Sequence, residues 1–364
     1  MGVAFVHDFL TQFGGAERVL LELRRLYPDA PLYTTIYEPK AFSGAFDGVD
    51  VRTSWLQRVP IRRRDFRALL PLYPRAVESF DLFGYDLVIS STTSFAKGVR
   101  TAPGALHVCY MHTPARFLWR EEGHAADVVP RWARPLFAAA VPALRRWDLA
   151  AAMRPTRIVA NSHNVAGRIR EIYGRDSDVV PCPVTLDHFA PSDEPPEHYL
   201  VAARFLPYKR VDLAIEACEA MKAPLVIMGD GPDEARLRSL AGPMTRFAGR
   251  VDDVERRRLF ARARAVIVPG TEDFGLVPIE AAASGRPTVA FAGGGALETV
   301  VEGATGIFFR EPTAQALSDA LRAASRLTLD RSALTSHAKK FSPERFRRDM
   351  QALIDRYRTE TKPT

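Results

Sequence analysis

An α/β chain of two doubly wound parallel-sheet domains facing each other across a cleft is the fold class this sequence predicts, on three observations. Short runs rich in β-branched and aromatic residues alternate with longer amphipathic stretches from end to end, the pattern of βα units. The 364 residues, at roughly 150 per domain, suffice for two cores. Between the halves lies PCPVTLDHFAPSDEPPE, five prolines in seventeen residues, a composition that resists regular structure and marks a linker. These place an N-terminal domain at 1–183, a C-terminal domain at 184–340 and a terminal helical segment at 341–364 that would pack back on the first domain.

The first half predicts strands at VAFVHD (3–8), PLYTTI (31–36), YDLVIS (85–90), ALHVCYM (105–111) and TRIVAN (156–161), with helices in the intervals, notably AERVLLELRRLY after Gly15. The second half predicts HYLVAA (198–203), PLVIMGD (224–230), TRFAGR (245–250), AVIVPG (265–270), PTVAFAG (287–293) and TGIFF (305–309). The last helix opens with Ser342 at an N-cap position and Pro343 at the first helical position. The longest apolar stretch, LFAAAVPAL (136–144), is broken by Pro142 and is too short to cross a bilayer, so any membrane contact is peripheral.

Composition narrows the function classes. Fifty basic against forty-three acidic residues leave +7, which suits acidic small ligands or an anionic membrane surface better than nucleic acid. Only seven of the fifty basic residues are lysines, a bias that a genome rich in G and C explains without function. Three cysteines, Cys109, Cys182 and Cys218, form no CxxC pair, so neither a zinc site nor a disulfide framework is encoded and a reducing compartment is implied. The strand-like start lacks signal-peptide character. No GxGxxG follows a strand, which removes the main support for a nicotinamide or flavin enzyme.

Three segments carry chemistry. In TQFGGAER, Gly14 and Gly15 let backbone amides approach an anion at a helix N-terminus, or simply make a tight turn. In RFLPYKR, Arg204 and Lys209 stand between a strand and a helix, where cations are disfavoured by the helix dipole; they could hold a diphosphate and neutralise its departing charge. In EDFGLVPIEAAASG, Gly275 leaves room for close approach and the helix behind it aims free amides at an anion. There Glu280 could accept from sugar hydroxyls, with Glu272 beside the reacting carbon; alternatively Glu280 only complements its own helix dipole. Asp176-Ser177-Asp178 spells DxD but reads as a solvent-exposed turn, and no His/Cys cluster has metal-ligand spacing. The stretch 55–80 mixes arginines with large apolar residues, among them Arg62, Arg63, Arg64 and Phe66. It could meet an anionic leaflet and a lipid-linked acceptor, or pack its apolar side on the first sheet.

These motifs together resemble the retaining glycosyltransferases of family 4, with the GT-B fold of two Rossmann-like domains: FGGAER, ARFLPYKR, MGDGP (228–232), FAGRV (247–251), EDFGLVPIEAAASGRP and GGG (293–295). The resemblance covers most of the chain. It implies that Arg204 and Lys209 bind the donor diphosphate, Glu280 holds the ribose and Glu272 contacts the donor sugar. The backbone of Phe274, Gly275 and Leu276 would meet phosphates and sugar, Arg250 and Val251 would lie near the base, and Gly15, next to Gly14, would close over the phosphates from the opposite domain. YMHTPARFLW (110–119) and NSHNVAGRI (161–169) further resemble the bacterial mannosyltransferase branch of surface polysaccharide assembly, in which His112 would face the transferred sugar.

The expectation is a metal-independent, cofactor-free hexosyltransferase. It would move mannose from GDP-mannose to a polyprenyl-diphosphate-linked saccharide, with Glu272, His112, Arg204 and Lys209 as catalytic candidates. It would work in the cytoplasm at the inner face of the cytoplasmic membrane. Alternatives are a UDP-sugar-dependent transferase of the same family, an epimerase or hydrolase using the same donor, and a non-catalytic nucleotide-sugar-binding subunit.

Overall fold

The computed structural model describes residues 2–60, 63–119, 129–187, 189–327 and 329–361, with the backbone alone of 63, 64, 131 and 361. The chain divides into two compact units, Met1–Pro181 with Phe346–Thr364, and Cys182–Arg345, so the division falls two residues before Pro183, inside the proline-rich segment.

The first unit holds a parallel sheet of β1 (Val3–His7), β2 (Leu32–Thr34), β3 (Val51–Thr53), β4 (Leu87–Thr92), β5 (Leu106–Met111), β6 (Arg157–Ala160) and β7 (Asp178–Val179), ordered β3-β2-β1-β4-β5-β6-β7. The second holds β8 (His198–Ala202), β9 (Leu225–Met228), β10 (Thr245–Gly249), β11 (Ala263–Val268), β12 (Thr288–Phe291) and β13 (Gly306–Phe309), ordered β10-β9-β8-β11-β12-β13. Every pair is parallel, and the central strands β4 and β5 are buried throughout, as parallel sheets covered on both faces require. Each order reverses once, between β1 and β4 in one unit and between β8 and β11 in the other. These are the topological switch points where doubly wound sheets bind ligands at their strand carboxyl ends.

Several sequence expectations change. The edge strands β3 and β7, three and two residues long, were not foreseen, because so few residues show no periodicity. Asp178 is therefore no part of an open turn. It opens β7 and accepts from Tyr357 Oη and, at 2.8 Å, from Arg356; although burial pushes its carboxyl up, these donors hold it below the ordinary value. Asp176 does lie in solvent, paired with Arg170 at 2.8 Å. Pro142 does not break its helix, which runs from Arg134 to Ala152. The carbonyl that loses its donor belongs to Ala138, an exposed residue, so it is not left unsatisfied in the core.

The stretch 55–80 is also not one amphipathic helix. It forms 3₁₀ turns at Trp55–Arg58 and Arg63–Leu72 and a short helix Tyr73–Glu78. Leu56, Phe66, Leu69, Leu70 and Tyr73 are core residues of the first unit. Phe66 packs 4.9 Å from Phe9, ring to ring, and so offers no surface to lipid. Arg62 and the side chains of Arg63 and Arg64 lie outside the described residues.

The C-terminal helix Pro343–Thr361 is capped by Ser342 Oγ, which accepts from Arg345 N at 3.3 Å. It buries Phe346, Met350, Ile354 and Tyr357, and Phe346 meets Tyr110 of β5 edge-on at 5.6 Å. A buried network fastens the helix Arg134–Ala152 to the first unit. Lys97 Nζ donates to Asp148 Oδ1 at 2.5 Å, while Asp148 Oδ2 accepts from Trp119 and Tyr173, each at 2.7 Å. Such a pair is retained only where both partners' polar capacity is filled. The cysteines are buried free thiols.

Candidate active site

The second unit brings Arg204, Lys209, Glu272 and Glu280 to the segments that follow β8 and β11, at the switch point, while Arg250 and Val251 follow the edge strand β10. After β8 the chain bends through a 3₁₀ turn, Pro207–Lys209, and Arg210 takes a left-handed conformation (φ 49°) before the helix Val211–Met221. Glycines allow the neighbouring strand ends to press against this bend. A Cβ on Gly270, just past β11, would run into the backbone of Tyr208 and Lys209; one on Gly231 would meet the Phe205 amide nitrogen at 2.7 Å. On the other side, Gly295 N donates to Glu272 O at 2.8 Å, and a Cβ there would strike Phe274. The loops after β8, β9, β11 and β12 are thus held backbone to backbone.

In this frame Lys209 Nζ donates to Glu272 Oε2, both side chains largely shielded. Arg204 is exposed and has no ion pair among the described residues. Glu280, on the helix Leu276–Ala283, is 6% exposed and accepts from Arg256 Nη2. Gly275 precedes that helix at φ 96°, a conformation costly for any residue with a Cβ. Phe274 is buried, 5.9 Å from the Phe341 ring. Arg250 reaches Asp230 at 2.7 Å, and Val251 packs with Val277 on the Phe260 cluster. The arrangement offers one uncommitted cation, two carboxylates already matched to cations, and a helix N-terminus without a side-chain cap.

Arg256 and Gly270 escaped the sequence reading. Arg256 belongs to a run of three arginines that reads as solvated charge and carries no signal; Gly270 closes a strand pattern, a position that does hint at close backbone approach.

The remaining candidates belong to the first unit. Gly14 is extended (φ −130°), and its amide donates to Glu17 Oε2 at 2.8 Å. That bond belongs to the helix's own cap, so an anion approaching the Gly14 amide would have to displace the Glu17 carboxylate. Gly15 begins the helix Gly15–Arg24. His112 follows β5, buried, with Nε2 2.9 Å from Ser91 Oγ. Burial, then the neighbouring His7, pushes its pKa down to about 3. It is therefore neutral at physiological pH, and any part it plays is that of a neutral hydrogen-bonding group. Beside it Asp8 accepts from Thr92, Thr93, Phe95 and Ala96, joining β1 to β4 at that switch point. Among the described residues no cluster of His, Cys, Asp or Glu could hold a metal ion, and no helix is long and apolar enough to cross a membrane.

Comparison with known proteins follows this geometry. Residues 13–188 match the model "Glycosyltransferase Family 4", and residues 185–341 match "Glycosyl transferases group 1". The chain belongs to the family 4 glycosyltransferases. A D-inositol 3-phosphate glycosyltransferase of Mycobacterium tuberculosis is 31% identical over 177 residues, covering 41% of this chain and 37% of the relative, so the match spans little more than a third of that protein. Among solved structures, Anabaena HepE in complex with UDP aligns with a TM-score of 0.71 at 17% identity, covering 98% of this chain and 100% of that one. Sucrose-phosphate synthase from Thermosynechococcus elongatus aligns with 0.72 at 16% identity, covering 99% and 100%. At such identities these structures establish the GT-B fold. In this family 4 glycosyltransferase the group 1 match contains the whole Lys209–Glu272 and Arg256–Glu280 arrangement.

Proposed function

We propose that the chain transfers a hexose, mannose from GDP-mannose, with retention of configuration, to a polyprenyl-diphosphate-linked saccharide. The observation that supports it is the Lys209–Glu272 pair at the β8–β11 switch point, with Arg204, five residues earlier in the same loop, exposed and without an ion pair among the described residues. A diphosphate entering there takes Lys209 as a counter-charge and releases Glu272 to the sugar, so the same event binds the donor and frees the carboxylate. As the bond from the anomeric carbon to phosphate breaks, its electron pair leaves with the diphosphate, whose charge Arg204 and Lys209 neutralise. Glu272 stabilises the developing cation, and the acceptor hydroxyl enters on the departing face, forming the new bond to the anomeric carbon as its proton passes to the leaving diphosphate oxygen. Glu280, oriented by Arg256, holds the ribose. No step calls for a metal or cofactor.

A second reading keeps the site and changes the base to uracil; it is favoured by the complexes of HepE with UDP and UDP-glucose. A thermal-shift panel of GDP-mannose, GDP, UDP-glucose and UDP on wild type and Lys209→Ala separates them, since ligands of the native state raise its transition by mass action. Stabilisation by guanine ligands alone, lost in Lys209→Ala, is the expected result. Stabilisation by uridine ligands alone overturns the donor assignment, and none by either overturns the site. Glu272→Ala should lose turnover with little loss of donor affinity.

A further inference from the structure

Trp132, Leu136, Ala139, Ala143, Ala150 and Met153 are all exposed, Trp132 and Leu136 by two thirds of their surface and Met153 by half. They recur every three or four positions along the helix Arg134–Ala152 and its two ends, with Arg146 filling the one gap in the series. The opposite side of the same helix buries Phe137, Leu144 and Ala151 in the first unit. A helix lying on a water-soluble domain ordinarily turns polar residues outward; this one is apolar on both sides.

Charge identifies what covers the outer face. The only acid in the helix, Asp148, is fully buried and consumed by Lys97, Trp119 and Tyr173. The charge left on the outer side, Arg146, is positive and exposed, while Arg145 turns aside, its Nε donating to Leu118 O at 2.7 Å. A second copy would set this face against itself with no acid to neutralise it. The strip is also small for a dimer: roughly 32 Å long and about 10 Å wide, it gives about 320 Å² per partner, where a stable interface needs about 800 Å². A bilayer surface asks for neither acids nor a large area, because shallow insertion of a tryptophan- and leucine-bearing strip beside an arginine suffices.

We propose that the outer face of the helix Arg134–Ala152 docks the protein on an anionic lipid surface, with Trp132 and Leu136 entering the interface and Arg146 pairing with lipid phosphates. This places membrane contact on a different element from the 55–80 stretch, whose apolar side chains are spent on the core. The inference deepens the lipid-linked acceptor part of the proposed function and rests on it for its purpose.

The test is flotation of the full chain with vesicles of 30% phosphatidylglycerol in phosphatidylcholine, and of phosphatidylcholine alone, at low and high salt. Wild type should float with the anionic vesicles about tenfold more than with neutral ones, and lose most of this at high salt. Trp132→Glu combined with Leu136→Glu should reduce flotation about tenfold while leaving the thermal midpoint unchanged, because both positions face solvent. Absence of wild-type flotation, or flotation indifferent to the double substitution, overturns the proposal. So does a dimer in light scattering that the double variant dissociates in the absence of any vesicle binding. Nucleotide-induced stabilisation on the same samples reports separately on the donor site: flotation lost with stabilisation intact refutes the surface alone, and the reverse refutes the donor reading alone.

Discussion

Gly270 and Lys209 show how a single backbone approach sets the chemistry. Because a Cβ at 270 would occupy the space of the Tyr208–Lys209 backbone, Gly270→Ala should push the bend away from Glu272. A destabilisation of about 1–3 kcal/mol, the usual cost of overpacking, should accompany loss of donor-induced stabilisation, read by urea unfolding and thermal shift. Arg256→Ala removes one charged hydrogen bond to Glu280 and should weaken nucleotide binding by about 1–2 kcal/mol, measured by calorimetry. Histidine burial has its own signature. His107 and His112 are both pushed by burial from 6.5 to about 3, so between those values the unfolded chain binds protons that the folded chain refuses. Stability should therefore be level above pH 6.5 and fall on acidification, at up to about 1.4 kcal/mol per pH unit for each histidine. Urea unfolding at pH 7.5 and pH 5.5 checks this, and His112→Asn should lower the slope by one proton. At this scale the charged candidates Arg204, Lys209, Glu272 and Glu280 were nominated by residue type and setting. Which cation meets which carboxylate was not, since the pairs lie 63 and 24 residues apart.

Among the elements, eleven of the thirteen strands were legible because short runs rich in β-branched and aromatic residues, bounded by turn residues, have few other readings. The two that were missed, β3 and β7, are held by their neighbours' hydrogen bonds and carry no pattern of their own. The 55–80 stretch and the helix Arg134–Ala152 differ in where they place their apolar side chains. Both mix arginine with apolar residues, and burial alone distinguishes them: Phe66 is 6% exposed and Leu136 is 66% exposed. Phe66→Ala should consequently cost about 3–5 kcal/mol of stability, the price of a large core cavity, in chemical denaturation, and leave vesicle flotation of the folded fraction unchanged.

On the scale of the whole molecule, the chain returns to its first unit after completing the second. The C-terminal helix contributes Phe346, Met350, Ile354 and Tyr357 to that core, and Arg347 pairs with Glu22 and Arg356 with Asp178. Truncation after Ser342 should expose β5, β6 and β7 to rapid amide exchange while β8–β13 keep their protection, as hydrogen–deuterium exchange would read. The sequence by itself determined the fold class, two parallel-sheet units joined by a proline-rich segment, and the family, because periodicity, turn residues and short motifs are local properties of the chain. The tertiary structure decided the partners of each charge, the commitment of the Gly14 amide to Glu17, the neutrality of His112 and which arginine-bearing apolar segment faces outward. Each of these depends on burial and on contacts between residues far apart in the chain, which no local pattern encodes.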